Sequence, residues 1–148
     1  MAGEDKVYDA AIERAGAIRV NETLDLFYLA ESLAKQRRPK GNRLAIVTNS
    51  GGPAIISIDT LLNLEGELAT LSEETIITLR KHFTLMKLIQ NPVDLFIDAS
   101  PQDYEVAVKC CLKDKEVDAV LVIHTPSYAP RAKEIAETVV AASKAHSY

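Results

Sequence analysis

The chain has 148 residues, 47% of them hydrophobic, enough to bury a real core and to exclude global disorder. Lys and Arg total 17 against 21 Asp and Glu, a net charge of -4, which argues against a nucleic-acid partner because phosphate backbones recruit basic faces. No apolar run approaches the roughly 18 residues that span a bilayer, and the N-terminus has no signal-peptide pattern, so no membrane association is expected.

With no Trp and 5% aromatics, the core must be aliphatic. Cys110 and Cys111 are adjacent, a spacing that rarely forms a disulfide, and no CxxC pair offers a metal site. Both are read as reduced thiols, which suits a cytoplasmic protein.

The first forty residues read as two helices. Val7, Tyr8, Ala11, Ile12 and Ala15 share a helical stripe that Gly16 can end in the left-handed conformation. Asn21 is expected to cap a second helix carrying Leu26, Phe27, Ala30, Leu33 and Ala34. The polar stretch from Gln36 to Asn42, with Lys35, Arg37, Arg38 and Lys40 in or beside it, reads as a solvated boundary.

A different pattern starts at Arg43. Leu44-Ala45-Ile46-Val47 is a continuous apolar run, as expected of a central parallel strand covered on both faces. Asn49-Ser50-Gly51-Gly52-Pro53 follows, then a helix expected from Ala54 to Leu64, with Pro53 at its first position and Gly66 closing it. Glu67-Leu68-Ala69 reads as a second strand, and Ser72 as the cap of a helix to about His82. Asn91-Pro92-Val93-Asp94-Leu95 must be extended or turned. Ser100, Pro101 and Asp103 spell a capping box for a helix ending near Asp114. Val117 to Ile123 is a further strand, and Arg131 to Ala145 a last helix. Strands alternate with helices, so the sheet should be parallel, in an α/β fold.

Ligands of such sheets bind beyond the carboxyl ends of the strands, where strand order reverses. A flavodoxin-like order would put the Leu44 and Val117 strands side by side, with Asn49 to Pro53 facing His124 to Pro130. Paired glycines let backbone amides approach a ligand, and a helix amino end adds partial positive charge, which suits a phosphate or carboxylate. A tight turn that needs glycine for geometry alone remains the alternative. Ser127 could cap the last helix, and Asp94 could fix its loop by accepting backbone hydrogen bonds. His124 stands at a strand's carboxyl end, where a functional histidine belongs, but no nucleophile or acidic partner is fixed near it in sequence. His82 and His146 read as surface residues. There is no GxSxG, HExxH or Walker lysine, so no catalytic or metal residue is assigned.

Lys40-Gly41-Asn42-Arg43-Leu44-Ala45-Ile46-Val47-Thr48-Asn49-Ser50-Gly51-Gly52-Pro53 resembles a segment of the ADP-forming (NDP-forming) acyl-CoA synthetases, relatives of succinyl-CoA synthetase and including the acetate–CoA ligases. Asn91-Pro92-Val93-Asp94-Leu95 resembles a second signature of the same domain, and Glu116 to Ile123 the strand after it. Ala2 to Ala11 resembles the stretch following the phosphorylated-histidine loop. The family's usual glycine after Gly-Gly-Pro is Ala54 here, and Met86 to Gln90 is less small and polar than the family pattern.

The resemblance implies a three-layer, flavodoxin-like succinyl-CoA synthetase domain over residues 41–148, truncated at the C-terminus. Residues 1–40 would be a helical remnant of the preceding CoA-ligase domain and a linker. It implies the conversion of acyl-CoA, ADP and phosphate to acid, CoA and ATP, with a phosphohistidine intermediate. Asn49, Ser50, Gly51, Gly52, Thr125, Pro126 and Ser127 would form the phosphate site, with Asn91 and Asp94 supporting the loops. CoA, ADP or ATP, and Mg belong to the complete enzyme, and no cofactor is expected on this chain alone. The expected partners are a CoA-binding domain with the phosphohistidine loop and an ATP-grasp domain or subunit, with homo-oligomerisation through an exposed sheet edge as a further expectation. The chain would be inactive alone. The alternative is a non-catalytic ligand-binding or regulatory interaction module derived from such an enzyme.

Overall fold

A computed structural model describes residues 5–84, 89–126 and 131–146. The chain divides into two compact units, residues 1–38 and 39–148.

The first unit holds α1 (Asp5–Arg14) and α2 (Thr23–Lys35). Gly16 has φ 67 and ends α1 as expected, with its amide donating to Glu13 O and that of Ala17 to Ile12 O. Arg19 then binds Asp5 and Asp9, one helical turn apart on α1. The cap of α2 differs from expectation. Glu22, not Asn21, is the N-cap, and it makes no side-chain cap bond. The helix starts one residue later than the sequence suggests, which leaves Asn21 outside the first turn. No residue of either helix is buried: Leu24, Phe27 and Tyr28 are more than 60% exposed.

The second unit is built on β1 (Arg43–Thr48), which pairs in parallel with every other strand of the sheet. On one flank β4 (Ala119–Ile123) runs beside it from Leu44 to Thr48. On the other lie two short strands, β2 (Glu67–Leu68) at its start and β3 (Val93–Asp94) at its end. Between them the Asn91 side chain stands in for a strand. Its Oδ1 accepts from Ile46 N at 2.9 Å, and its Nδ2 donates to Leu44 O and Ala69 O, both at 2.8 Å. Backbone groups of buried strands must find partners, and one amide supplies three. The Asn91–Pro92 peptide is cis.

Helices α4 (Glu73–His82), α5 (Pro101–Lys113) and α6 (Ala132–Ala145) contribute with β1 and β3 to one aliphatic core of Ala45, Val47, Leu79, Val93, Val108, Ile135 and their neighbours. Helix α3 (Gly51–Asn63) lies outside that cluster and packs on β1 and β2. Ile46, whose side chain alternates away from Ala45 and Val47, is fully buried. A parallel sheet flanked by helices, with strand order β2, β1, β4, is the expected flavodoxin-like arrangement.

Two boundaries correct the sequence reading. Helix α3 begins at Gly51, not Ala54, with Ser50 as N-cap, so the glycines belong to its first turn and Pro53 is the third helical residue. First-turn amides have no intrahelical acceptor, so proline is tolerated there. At the other end Glu65, not Gly66, takes the left-handed conformation (φ 58). Gly66 serves close approach instead, since a Cβ there would lie 2.2 Å from Leu61 Cδ1.

The caps of α4 and α5 form as expected. Ser72 Oγ accepts from Thr75 N, and Ser100 with Asp103 makes a reciprocal capping box. Strand β4 starts at Ala119 rather than Val117, whose amide is used in the preceding turn, donating to Asp114 O; next to it Asp118 N donates to Arg43 O, and Arg43 Nε donates to Asp118 Oδ2 at 2.8 Å.

Candidate functional site

The site lies at the carboxyl ends of β1, β3 and β4. Asn49, just beyond β1 and 2% exposed, reaches across to the residue two beyond β4: its Nδ2 donates to Thr125 O at 2.9 Å, and its Oδ1 accepts from Thr125 N at 2.8 Å. The two loops are therefore neighbours, locked by one side-chain amide. This uses the Asn49 side chain and the Thr125 amide on each other. The Ser50 amide is also engaged, donating to Thr48 Oγ1 at 3.0 Å, while that hydroxyl donates to Ser50 O. Pro126 is exposed, and Ser127 lies outside the described residues; the cap position of α6 is held by Arg131.

Gly51 and Gly52 remain open. Both are exposed, both sit in the first turn of a 13-residue helix, and no acceptor among the described residues takes their amides. A Cβ on Gly52 would meet nothing within 4 Å, and one on Gly51 would meet Asp94 Oδ2 at 3.7 Å. Two open donors at the positive end of a helix are chemically able to receive an anion. Asp94 brings a carboxylate to its rim, with Oδ1 accepting from Phe96 N at 2.9 Å and Oδ2 toward Gly51. Phe96, at φ 60, turns the chain away and is exposed.

Tyr104 of α5 completes the cluster and was not singled out from sequence. It is fully buried, with its hydroxyl 3.2 Å from Ile123 O and 3.3 Å from His124 Nδ1, and its ring edge-on to the imidazole. Burial first, then the charge of Asp94, pushes the phenol up to about 12, so it stays neutral. Its helical stripe with Ala107, Val108 and Cys111 marked it as inward, but nothing in the sequence joined it to a residue 20 positions away. His82 is exposed on α4, and His146 is half-buried at the end of α6. Among the described residues no group of three or more His, Cys, Asp or Glu could hold a metal ion, and no helix is long and apolar enough to cross a membrane.

A cleft of about 440 Å³ lies between the first turn of α4 and the last turn of α5, lined by Ser72, Thr75, Cys110, Lys113, Asp114 and Glu116. It is at the amino ends of the strands, away from the glycines. The amino end of α4 already faces a carboxylate there, since Asp114 Oδ2 accepts from Ser72 N at 2.8 Å.

No family model matches the chain. It is 37% identical over 123 residues to the alpha subunit of ADP-forming acetate–CoA ligase II from Pyrococcus furiosus, covering 83% of this chain and 27% of that relative. It is 33% identical to the ADP-forming 4-hydroxybutyrate–CoA ligase of Nitrosopumilus maritimus, over 97% of this chain and 20% of the relative. Among solved structures, a Pyrococcus horikoshii protein superposes with a TM-score of 0.86 at 36% identity, over 97% of this chain and 33% of that one. The dinucleotide-forming acetyl-coenzyme A synthetase 1 of Candidatus Korarchaeum cryptofilum, solved with phosphate and ADP, superposes with a TM-score of 0.88 at 26% identity, over 99% of this chain and 32% of that one. The chain spans a third or less of each of these proteins. It is homologous to a segment of the ADP-forming acetate and acyl-CoA ligases, and its parallel sheet has the flavodoxin-like fold of their domains.

Proposed function

We propose that this chain is a phosphate-handling part of an ADP-forming acyl-CoA ligase, working with a CoA-binding domain that carries a phosphorylatable histidine and with an ATP-grasp domain. The overall reaction would take acyl-CoA, ADP and phosphate to acid, CoA and ATP. The contribution of this chain is electrostatic: the Gly51 and Gly52 amides hold the phosphate or phosphoryl group while other domains transfer it. Donors fixed in advance need no reorganisation when charge arrives, which is where such sites gain most. CoA, nucleotide and Mg would be held by the partner domains, and the chain would be inactive alone.

The observation that carries this reading is the open pair of amides at the α3 amino end, beside a loop that Asn49 fixes to the loop after β4. Its homology to ligases, one homologous structure being solved with phosphate and ADP, supports phosphate as the anion. The bare apolar residues of α1 and α2 and the outer flank of β4, unpaired among the described residues, support the need for partner domains.

Titrating the 15N-labelled chain with inorganic phosphate at constant ionic strength tests it. The Gly51 and Gly52 amide resonances should shift saturably, and chloride should not reproduce the shift. Formation of ATP from acetyl-CoA, ADP and phosphate by this chain alone would refute the shared site.

A further inference from the structure

The Tyr104–His124 pair assigns a role to a histidine that the proposed phosphate chemistry has not used. A carbonyl oxygen accepts hydrogen bonds and cannot donate. Of the two partners near the Tyr104 hydroxyl, Ile123 O at 3.2 Å can take only its hydrogen, which leaves the phenol oxygen as acceptor toward His124 Nδ1 at 3.3 Å. Both bonds form together only when Nδ1 carries the imidazole proton. Nε2 is then the ring nitrogen without a proton, its lone pair directed away from the phenol.

His124 is also held through its neighbours. Ile123 is in register with Thr48 at the end of the β1–β4 ladder, and Thr125 is clasped by Asn49. The imidazole is thus fixed at the flanking backbone and at Nδ1, at the same sheet end as Gly51 and Gly52. Asp94 is a second acceptor at that end, with Oδ2 toward Gly51. Open amides with hydrogen-bond acceptors at the same sheet end suit an anion that still carries a hydrogen, and they disfavour one that carries none.

Resting on the function proposed above, we propose that His124 is a hydrogen-bond acceptor of the phosphate site, with Tyr104 as its positioning residue, and that the site selects a protonated phosphate over an anion without a proton, such as sulfate. Tyr104 touches no ligand in this scheme. It acts by fixing which nitrogen of His124 is bare.

The test uses the full chain at neutral pH with inorganic phosphate and sulfate as probes, and long-range 1H–15N spectra to read the His124 tautomer. In the wild type His124 should carry its proton on Nδ1, and phosphate should bind about tenfold more tightly than sulfate, the worth of one well-placed hydrogen bond. Tyr104→Phe keeps the buried ring, so it should fold, move the tautomer toward Nε2–H and shrink the preference several-fold. His124→Phe should shrink it at least as far, while the Gly51 and Gly52 shifts persist with either anion. If Tyr104→Phe fails to fold, the wild-type tautomer and the His124→Phe titration still decide. An Nε2–H tautomer in the wild type, or an unchanged preference in His124→Phe, overturns this inference and leaves phosphate binding standing. No phosphate-induced shift in the wild type overturns the proposed function itself.

Discussion

The two ends of the β1–β4 pair are closed by different chemistry. At the amino end the links are led by charged side chains. Arg43 binds Asp118 and Glu116, and Asp114 accepts from Ser72 N and Glu116 N. At the carboxyl end the link is a neutral amide, Asn49 on Thr125, and the helix amides beside it are left without acceptors among the described residues. Both ends present a helix amino terminus near the sheet, α4 at one and α3 at the other. Only the first has a carboxylate bonded into it. At α4 the cap amide is taken by an ionised carboxylate, whereas at α3 the cap amide of Ser50 is taken by the neutral Thr48 hydroxyl, and the amides of Gly51 and Gly52 beyond it have no acceptor among the described residues.

Removing the carboxylate from the closed end should have the largest effect. Asp114 is 5% exposed, and without it the Ser72 and Glu116 amides lose an ionised acceptor. Asp114→Ala should cost roughly 2–4 kcal/mol of stability in urea unfolding. Burial works against ionisation of this group, but the hydrogen bonds from Glu116, Ser72 and Thr75 prevail and hold it below its ordinary 3.8. A depressed carboxylate stabilises the fold above its unfolded value, so this contribution should be intact above about pH 4 and fade as pH falls further. A loss of less than 1 kcal/mol in the variant would mean that the closed end is not tied through Asp114.

At the open end, Asn49→Ala removes two bonds to the Thr125 backbone inside a buried position. The expected cost is smaller, about 2 kcal/mol, because both lost bonds are between neutral groups. The functional cost should be the larger one: once the loops part, the α3 amino end loses its fixed neighbour, and phosphate affinity should fall more than tenfold. A loss of stability with unchanged phosphate affinity would separate the clasp from the site.

Alkali probes the same comparison from the other side. Cys111, near the closed end, and Tyr104, at the open end, are both pushed up to about 12, from ordinary values of 9.0 and 10.0, with burial as the main cause of each. The folded state holds these protons longer than the unfolded state. Their contributions are therefore complete below the ordinary values and are lost as pH rises from 9 or 10 toward about 12. For Tyr104 this amounts to roughly 1 kcal/mol at pH 11. Tyr104→Phe should flatten the Tyr104 part of the alkaline slope and Cys111→Ala the larger Cys111 part. Slopes unchanged in both variants would show that neither proton is held by the fold.

How much of this was legible in the sequence depended on distance along the chain. The alternation of apolar strand runs with helical stripes, the Ser72 cap, the Ser100–Asp103 box and the Gly16 stop are local patterns, set by residues within a turn or two of each other. Asn91 was readable as a turn residue, but its substitution for a strand beside β1 joins Leu44, Ile46 and Ala69, far apart in sequence. The Asn49–Thr125 clasp spans 76 positions and Tyr104–His124 spans 20. Side-chain amides and hydroxyls leave no periodic trace, so their long-range partners emerge only in three dimensions. The α3 boundary slipped for a local reason: Gly-Gly-Pro reads as a turn by propensity, yet first-turn positions tolerate all three residues.

That slip sharpens the question of why glycine stands at position 52. In a tight turn with φ above zero, glycine would be obligatory and alanine costly. Gly52 instead lies in the first turn of α3, is not among the described residues with positive φ, and has space around its missing Cβ. Nothing in the fold then requires glycine, and alanine, with less freedom to lose from the unfolded chain, should stabilise by about 0.5 kcal/mol. In the proposed phosphate site the same methyl would stand over an amide that meets the anion closely, so Gly52→Ala should gain slightly in urea midpoint and lose several-fold in phosphate affinity. A loss of stability would return the glycine to the role of a turn residue, whereas a gain with no change in phosphate binding would mean the anion sits on Gly51 alone. A gain in one measurement with a loss in the other is the signature expected where space has been kept for a ligand rather than for the chain.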